Sequence, residues 1–387
     1  MSEHVLLVHG DLLTKERLDM IIKSRRIEDT PKCRFQHIVF VPGLFHFKMV
    51  CADALWHTWI QPQAGRMDVN SLWQHVGVLR PRETGKFASK PGFRRMHDVL
   101  HHDLWASILD CWLVEAQTRN STWDSLEVFA KCAPSWELIV EMSESIVNKF
   151  VANTTTLMNL RQRPRQERDQ QFENQVLCNR DELLYVDLCH AMNSGDIRRV
   201  EASFLSWIYI FKATKKHKYA YHTAHFMVQM RYVYPEDLQQ LIRLNWLCNP
   251  AGRAFKFRPM DWLVERNNLY TKECHVMIEN GFHLKQRTIK HAPPNMTKTL
   301  QKLCDELRRH SPHIFTAGRH ADRQVEDEIG TGMTMLVADR TMDIPLWPDC
   351  LHLEHTVTLR GFLGIFAEWA DGLSDLMLLR SDTNWTY

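Results

Sequence analysis

The sequence predicts an α+β protein that is predominantly helical. It has a small α/β core at its start, a large all-helical insertion, and a return to the core from residue 251. Three observations carry this. Two short apolar runs, residues 5–8 (VLLV) and 37–41 (HIVFV), flank one helical pattern; apolar residues then recur every three or four positions from 94 to 250; and a Pro-initiated helical segment follows at PMDWLVERNNLYTKE. A continuous apolar run suits a strand buried on both faces, whereas a 3.6-residue period marks an amphipathic helix.

Each apolar run of the first unit is bounded by Gly or Pro, as a short strand is. Between them Thr14 is placed to cap a helix. Glu16 falls in its first turn, Leu18, Ile21 and Ile22 make an apolar stripe, and Arg25 and Arg26 suit the negative end of the dipole. Strand, helix and strand in this order predict parallel strands with a right-handed crossover, so both strands leave the sheet along one edge. Asp11 and His46 follow the two strands and are expected side by side there, where open α/β sheets place their sites.

After Pro42, GLFHFKMVCADALWHTWI predicts a helix with almost no solvated face, His46, Asp53 and His57 sharing its polar stripe. Residues 63–93, rich in Gly, Pro, Arg and Lys, read as a basic surface loop. Helices are predicted over 94–118, 136–160, 170–193, 196–214 and 235–248, with breaks at Pro134, Pro164, Gly195 and Pro235. In the next helix Asp261, Glu265, Asn268 and Lys272 fall on one face, a pattern equally suited to an ordinary solvated surface. A strand is predicted at 333–338 and an amphipathic stretch near 361–379. The organisation is then a core at 1–62, a basic loop at 63–93, a helical insertion at 94–250, a return to the core at 251–340, and a tail at 341–387.

The 387 residues are 44% apolar and 24% charged, the balance of an ordinary folded chain. Forty-eight basic against 46 acidic residues leave a net charge of +2, so any basic surface must be local. Ten cysteines without a C-x-x-C pair suggest reduced thiols and an intracellular protein. No stretch approaches the roughly 18 apolar residues of a membrane span, and no membrane role is expected. The chain has no P-loop, no dinucleotide-binding glycine pattern and no G-x-S-x-G, so no nucleotide cofactor is expected and kinase, dehydrogenase and serine hydrolase readings find no support.

Asp11 at a strand end and Glu265 on a distant helix are the carboxylates best placed for chemistry. Such oxygens can hold Mg²⁺ or Mn²⁺, which polarises a phosphodiester and activates the attacking oxygen. Basic residues lie on segments that also carry aromatics: Arg80, Arg82, Lys86, Lys90, Arg94 and Arg95 in RPRETGKFASKPGFRR, and Lys215, Lys216 and Lys218 running into Tyr219 and Tyr221. These suit phosphate contact and base stacking, and make DNA the expected partner. His97 and His101 have the i, i+4 spacing of zinc ligands but lack an H-E-x-x-H base.

GDLLTKERL, HIVFVPGLFHFKM, KKHKYAYHTAHF and PMDWLVERNNLYTKE, in that order, resemble a transposon-associated family of mushroom-forming fungi that carries a domain of unknown function. The resemblance spans about residues 5–340 and extends, more distantly, to Mutator-type transposases with a ribonuclease-H-like core. It implies a partial core of that kind around a helical insertion and ancestral metal-dependent DNA cleavage and joining. Asp11 falls on the second catalytic acid, Glu265 on the last, with Asn268 beside it, and His46 on the histidine after the second strand; Gly43 stands where that pattern has cysteine. The first acid and its strands have no counterpart before Asp11, so the expectation is an incomplete or inactive site, acting in the nucleus if it acts on DNA. The rival is a non-enzymatic descendant that binds DNA or protein. A third possibility is an unrelated helical scaffold in which Asp11 only starts a helix.

Overall fold

The computed structural model of the protein describes residues 4–281 and 295–338, a predominantly helical chain with two two-stranded sheets among those residues. Strands β1 (Leu6–Gly10) and β2 (Ile38–Pro42) are parallel, Leu6 opposite Ile38 and Gly10 opposite Pro42. Between them runs α1 (Leu12–Ser24), as the pattern requires. The first strand is not buried on both faces: Leu6 is 54% exposed, and β1 has only β2 as a strand neighbour among the described residues. α1 likewise has no fully buried residue, so its apolar stripe lies at the surface. β2 leads inward, where Val41 and then Leu44, Phe47, Cys51 and Leu55 of α2 (Leu44–Trp59) enter the core.

Residues 63–93 are not a loop. They contain α3 (Leu72–Leu79), capped by Ser71, and α4 (Thr84–Ser89), and they bury Leu72, Val76, Leu79 and Phe87. An apolar residue every three or four positions is enough to dock a short helix whose remaining face is basic.

The insertion follows as α5 (Phe93–Arg119), α6 (Leu126–Lys131), α7 (Trp136–Phe150), α8 (Thr154–Arg161), α9 (Gln170–Ser194), α10 (Ile197–Ala213), α11 (His217–Val228) and α12 (Glu236–Trp246). The helix expected over 136–160 is two, because the chain extends at 151–153 and Asn153 opens α8 with a capping box shared with Thr156. α9 is central and almost wholly buried. Its Tyr185 meets His97 and its Gln175 meets Ser107, so α9 and α5 run antiparallel. Gly195 ends α9 in the left-handed conformation that glycine adopts without strain.

Strands β3 (Leu247–Cys248) and β4 (Arg258–Pro259) pair antiparallel and deliver α13 (Trp262–Gly281) to the end of β2. Trp246 anchors this return, its indole N–H donating to the Pro42 carbonyl at 2.7 Å while its own carbonyl accepts from Met260 N at 3.1 Å. After α14 (Thr297–His310), residues 316–328 strap back onto α9: Arg319 and the Thr316 N–H both donate to Asp169, the buried α9 cap, and Arg180 bridges Asp181 and Asp327.

The strand expected at 333–338 is instead part of helix α15 (Glu328–Ala338). A run such as MTMLVA fits a buried strand or a buried helix equally by pattern, and packing along α10 decides. Gly332 touches that helix where an added Cβ would overlap the Tyr209 carbonyl. Gly332→Ala is therefore expected to loosen α15 at a cost of about 2 kcal/mol, seen as faster amide exchange across 328–338 with the α5 and α9 amides unchanged. The stretch near 361–379 and the tail at 341–387 lie outside the described residues.

Candidate functional site

The carboxyl ends of β1 and β2 meet where the Gly43 N–H donates to the Gly10 carbonyl at 2.7 Å. Asp11 follows β1 and caps α1: its Oδ1 accepts from the Thr14 N–H and from the Thr14 hydroxyl, both at 2.8 Å. Thr14, expected to be the cap, is thus the residue that the cap holds. Burial works upward on the Asp11 pKa, but the two Thr14 hydrogen bonds, with His46 and Arg17 nearby, outweigh it and hold the carboxyl below its ordinary value.

α2 begins at Gly43, which has no side chain to cap it. The missing acceptor comes from 216 residues away. Asp261, 4% exposed, accepts from the Phe45 N–H at 3.0 Å through Oδ1 and from the His46 N–H at 3.1 Å through Oδ2, and its Oδ2 also pairs with His46 Nδ1 at 2.9 Å. The carboxylate sits so close to Gly43 that a Cβ there would overlap it, and the same Cβ would lie 2.8 Å from the Gly10 carbonyl.

Asp261 fixes the His46 ring with Nε2 turned toward Glu265, whose Oε1 is 3.9 Å away. The hydrogen bond to Asp261 raises the His46 pKa; burial opposes it, and the charges of Asp261, Asp11 and Glu265 add to the rise. An oriented imidazole whose protonated form is favoured, partly open to solvent, therefore stands among three acids. Tyr219 of α11 closes the same region, its hydroxyl pushed up to about 12 by burial first and then by Asp11, Cys51 and Asp261. The group can hold a proton on His46 and present Asp11 and Glu265 to a cation or to a ligand that donates hydrogen bonds.

The sequence-predicted residues Asp11, His46 and Glu265 thus belong to one neighbourhood. The Asn268 side chain lies outside those described. Asp261 is the residue whose role the sequence concealed, although two signals existed: α2 lacks a Ser, Thr, Asp or Asn cap, and Asp261 lies four residues before Glu265. Asp53 and His57, on the expected polar stripe, pair with each other at 3.6 Å.

Of the basic residues expected to contact DNA, Arg80 pairs with Asp98, Arg95 with Glu83, Lys216 with Asp53 and Lys218 with Glu16. Arg82, Lys86, Lys90, Arg94 and Lys215 have exposed side chains, whatever else they contact. Both basic segments adjoin the site. Phe93, at the end of the first, packs edge-on against Phe45 at 5.7 Å, and Lys218, in the second, reaches Glu16 on α1.

Among the described residues, two groups bring three potential metal-ligand atoms within 4.8 Å of one another: His97, His101 and Cys189, and Asp103, Cys178 and Glu182. Asp11 and Glu265 belong to neither. His97 Nδ1 is engaged by the Tyr185 hydroxyl and His101 Nδ1 by the His97 carbonyl, and burial lowers the His101 pKa to about 4.

Over residues 1–320 the sequence matches a family described as a family of unknown function (DUF6589), and the chain belongs to that family. No curated protein and no solved structure matches it.

Proposed function

We propose that this member of a family of unknown function derives from a DNA transposase, and that the end of the β1–β2 sheet is the remnant of a ribonuclease-H-like centre that once cleaved and joined DNA with Mg²⁺ or Mn²⁺. One observation carries the reading. Asp11, at the end of a parallel strand, and Glu265, on a helix that returns after the helical body, both come near His46. That is the chain order that the resemblance implies for the second and last acids of such a centre, with the histidine of the same pattern between them.

The donors fit a hard divalent cation in kind, since both are carboxylates at an accessible sheet edge. Asp11 and Glu265 would hold the ion, and it would supply Lewis-acid activation of a phosphodiester. The third acid of the neighbourhood, Asp261, is committed to the α2 N–H groups and to His46. A protonated His46, the form that the Asp261 hydrogen bond favours, would moreover place a positive charge among the acids. This favours, for the present chain, DNA binding without turnover, through Arg82, Lys86, Lys90, Arg94 and Lys215.

The test is a salt series of duplex-DNA binding by fluorescence anisotropy, with Mn²⁺ binding and strand nicking measured on the same protein. The expected result is an affinity that falls log-linearly with salt, with a slope of about 0.9 per phosphate contact, and that drops in the Lys86→Glu, Lys90→Glu double variant. Mn²⁺ is expected to bind weakly, and less in Asp11→Asn, which keeps a good helix cap. No DNA binding at low salt would overturn the DNA reading, and Mn²⁺ binding indifferent to Asp11→Asn would remove Asp11 as a ligand.

A further inference from the structure

We propose that Asp103, Cys178 and Glu182 form a buried site for one zinc-like divalent ion inside the helical insertion, separate from the sheet-edge site. Cys178 and Glu182 stand one turn apart on α9, and Asp103 faces them from α5. Their ligand atoms lie within 4.8 Å of one another, and the three residues are 5%, 0% and 1% exposed. Adjacent ligands on a tetrahedral zinc are about 3.6 Å apart, given Zn–S near 2.3 Å and Zn–O near 2.1 Å. Small side-chain rotations therefore suffice to close the set.

The observation that points to a ligand is the state of the oxygens. Both carboxyl oxygens of Glu182 and Oδ2 of Asp103 are buried with no N–H or O–H donor from another of the described residues reaching them, and the Glu182 carboxyl faces that of Asp103. Buried polar atoms are rarely left so, and two buried carboxyls facing each other with no donor between them require an explanation. The nearest strong cation on α9 does not provide one, because Arg180 is taken up by Asp181 and Asp327. Burial, with the Asp103 and Asp181 charges and the contact with the Asp103 carboxyl adding, pushes Glu182 well up, and burial does the same to the Cys178 thiol. Without a cation the cluster holds protons; a divalent ion replaces them, and they leave to solvent.

The surroundings fit this assignment. His75 of α3 binds Asp103 Oδ1 through Nδ1 at 2.7 Å, which leaves Oδ2 turned to the cluster and orients it as a hydrogen-bonded ligand carboxylate is oriented. Asp103 Oδ2, Cys178 Sγ and the two Glu182 oxygens supply up to four donors, a mixed sulfur and oxygen set that suits zinc better than Mg²⁺. Metal sites of helical bundles are built in this way, from side chains on facing helices. Cys178 also lines a cleft together with Trp59, Leu72 and Gln175, so one member of the cluster borders a space open to solvent.

The purified full-length chain is to be assayed for zinc content and titrated with Zn²⁺ and with Co²⁺. One equivalent bound, protons released on binding and a thiolate-to-cobalt charge-transfer band are expected. The band should vanish in Cys178→Ser and persist in Cys189→Ser, which disables the other cluster. Glu182→Gln should weaken binding by at least about tenfold. Absence of stoichiometric binding to the wild-type chain, or a band lost with Cys189→Ser, overturns the proposal whatever the folding of Cys178→Ser. A cluster that only shares a proton between Asp103 and Glu182 would bind no ion, and Glu182→Gln would then melt at or above the wild-type temperature.

Discussion

Replacing Asp261 by alanine is expected to lower the unfolding free energy by about 3 kcal/mol in urea denaturation at neutral pH, with the slope unchanged. The carboxylate makes three hydrogen bonds at once, two to the first-turn N–H groups of α2 and one to the His46 ring. It also places a negative charge at the positive end of the helix dipole. Water cannot replace it fully, because Asp261 is buried. The loss should depend on pH in a defined direction. The folded-state pKa of His46 is raised, first by its hydrogen bond to Asp261, so its contribution is fully present below pH 6.5 and fades as pH rises through the folded value. The gap between wild type and Asp261→Ala should accordingly be widest below pH 6.5 and narrow above it, down to the part that belongs to the α2 cap alone. A gap that is flat with pH would mean that His46 does not titrate against Asp261. A ring titration by NMR supplies the direct check, with the His46 pKa falling in Asp261→Ala.

Much of the chain's organisation is legible in the pattern of its apolar residues, and the failures share a physical cause. The β1–α1–β2 order follows from two apolar runs around one stripe, and α2, α5, α9, α10 and α12 follow from spacing. What pattern alone misses is set by contacts between distant segments. Residues 63–93 carry so many Lys and Arg that the docking residues Leu72, Val76, Leu79 and Phe87 are masked, although they recur with helical spacing. MTMLVA becomes helix through packing on Tyr209 rather than through its own preference. β1 is more exposed than its apolar run suggests, because a short apolar run says nothing about how many neighbours the strand finds. At the site the same division holds. Asp11 and Glu265 stand out by position, but Asp261 acts on a helix more than two hundred residues earlier, and only the missing cap at Gly43 and its place one turn before Glu265 hint at it. The buried acids of α9, Asp181 and Glu182, were equally hidden, since apolar spacing alone does not show that the polar positions of a helix are buried too.

The second large effect concerns the glycine that makes room for this cap. Gly43→Ser is expected to destabilise the chain by about 4 kcal/mol, the sum of a displaced carboxylate and a locally overpacked turn. The backbone at residue 43 is not the obstacle, since its φ of −70° suits any residue. Space is the obstacle. A Cβ would overlap the Asp261 carboxylate and press on the Gly10 carbonyl from 2.8 Å. Removing the carboxylate should therefore relieve most of the clash. In the double variant Gly43→Ser, Asp261→Gly the serine hydroxyl can cap α2 locally, by accepting from the His46 N–H in the way Ser71 caps α3. The double variant should recover about 2 kcal/mol relative to the sum of the two single losses. It should stay below wild type, because Gly10 still crowds the new Cβ. It should also separate the two duties of Asp261, for α2 would be capped again while His46 would lack its acid partner and titrate lower. Strictly additive losses would show instead that Asp261 and Gly43 act independently, and the account of one carboxylate serving both the helix and the histidine would fail.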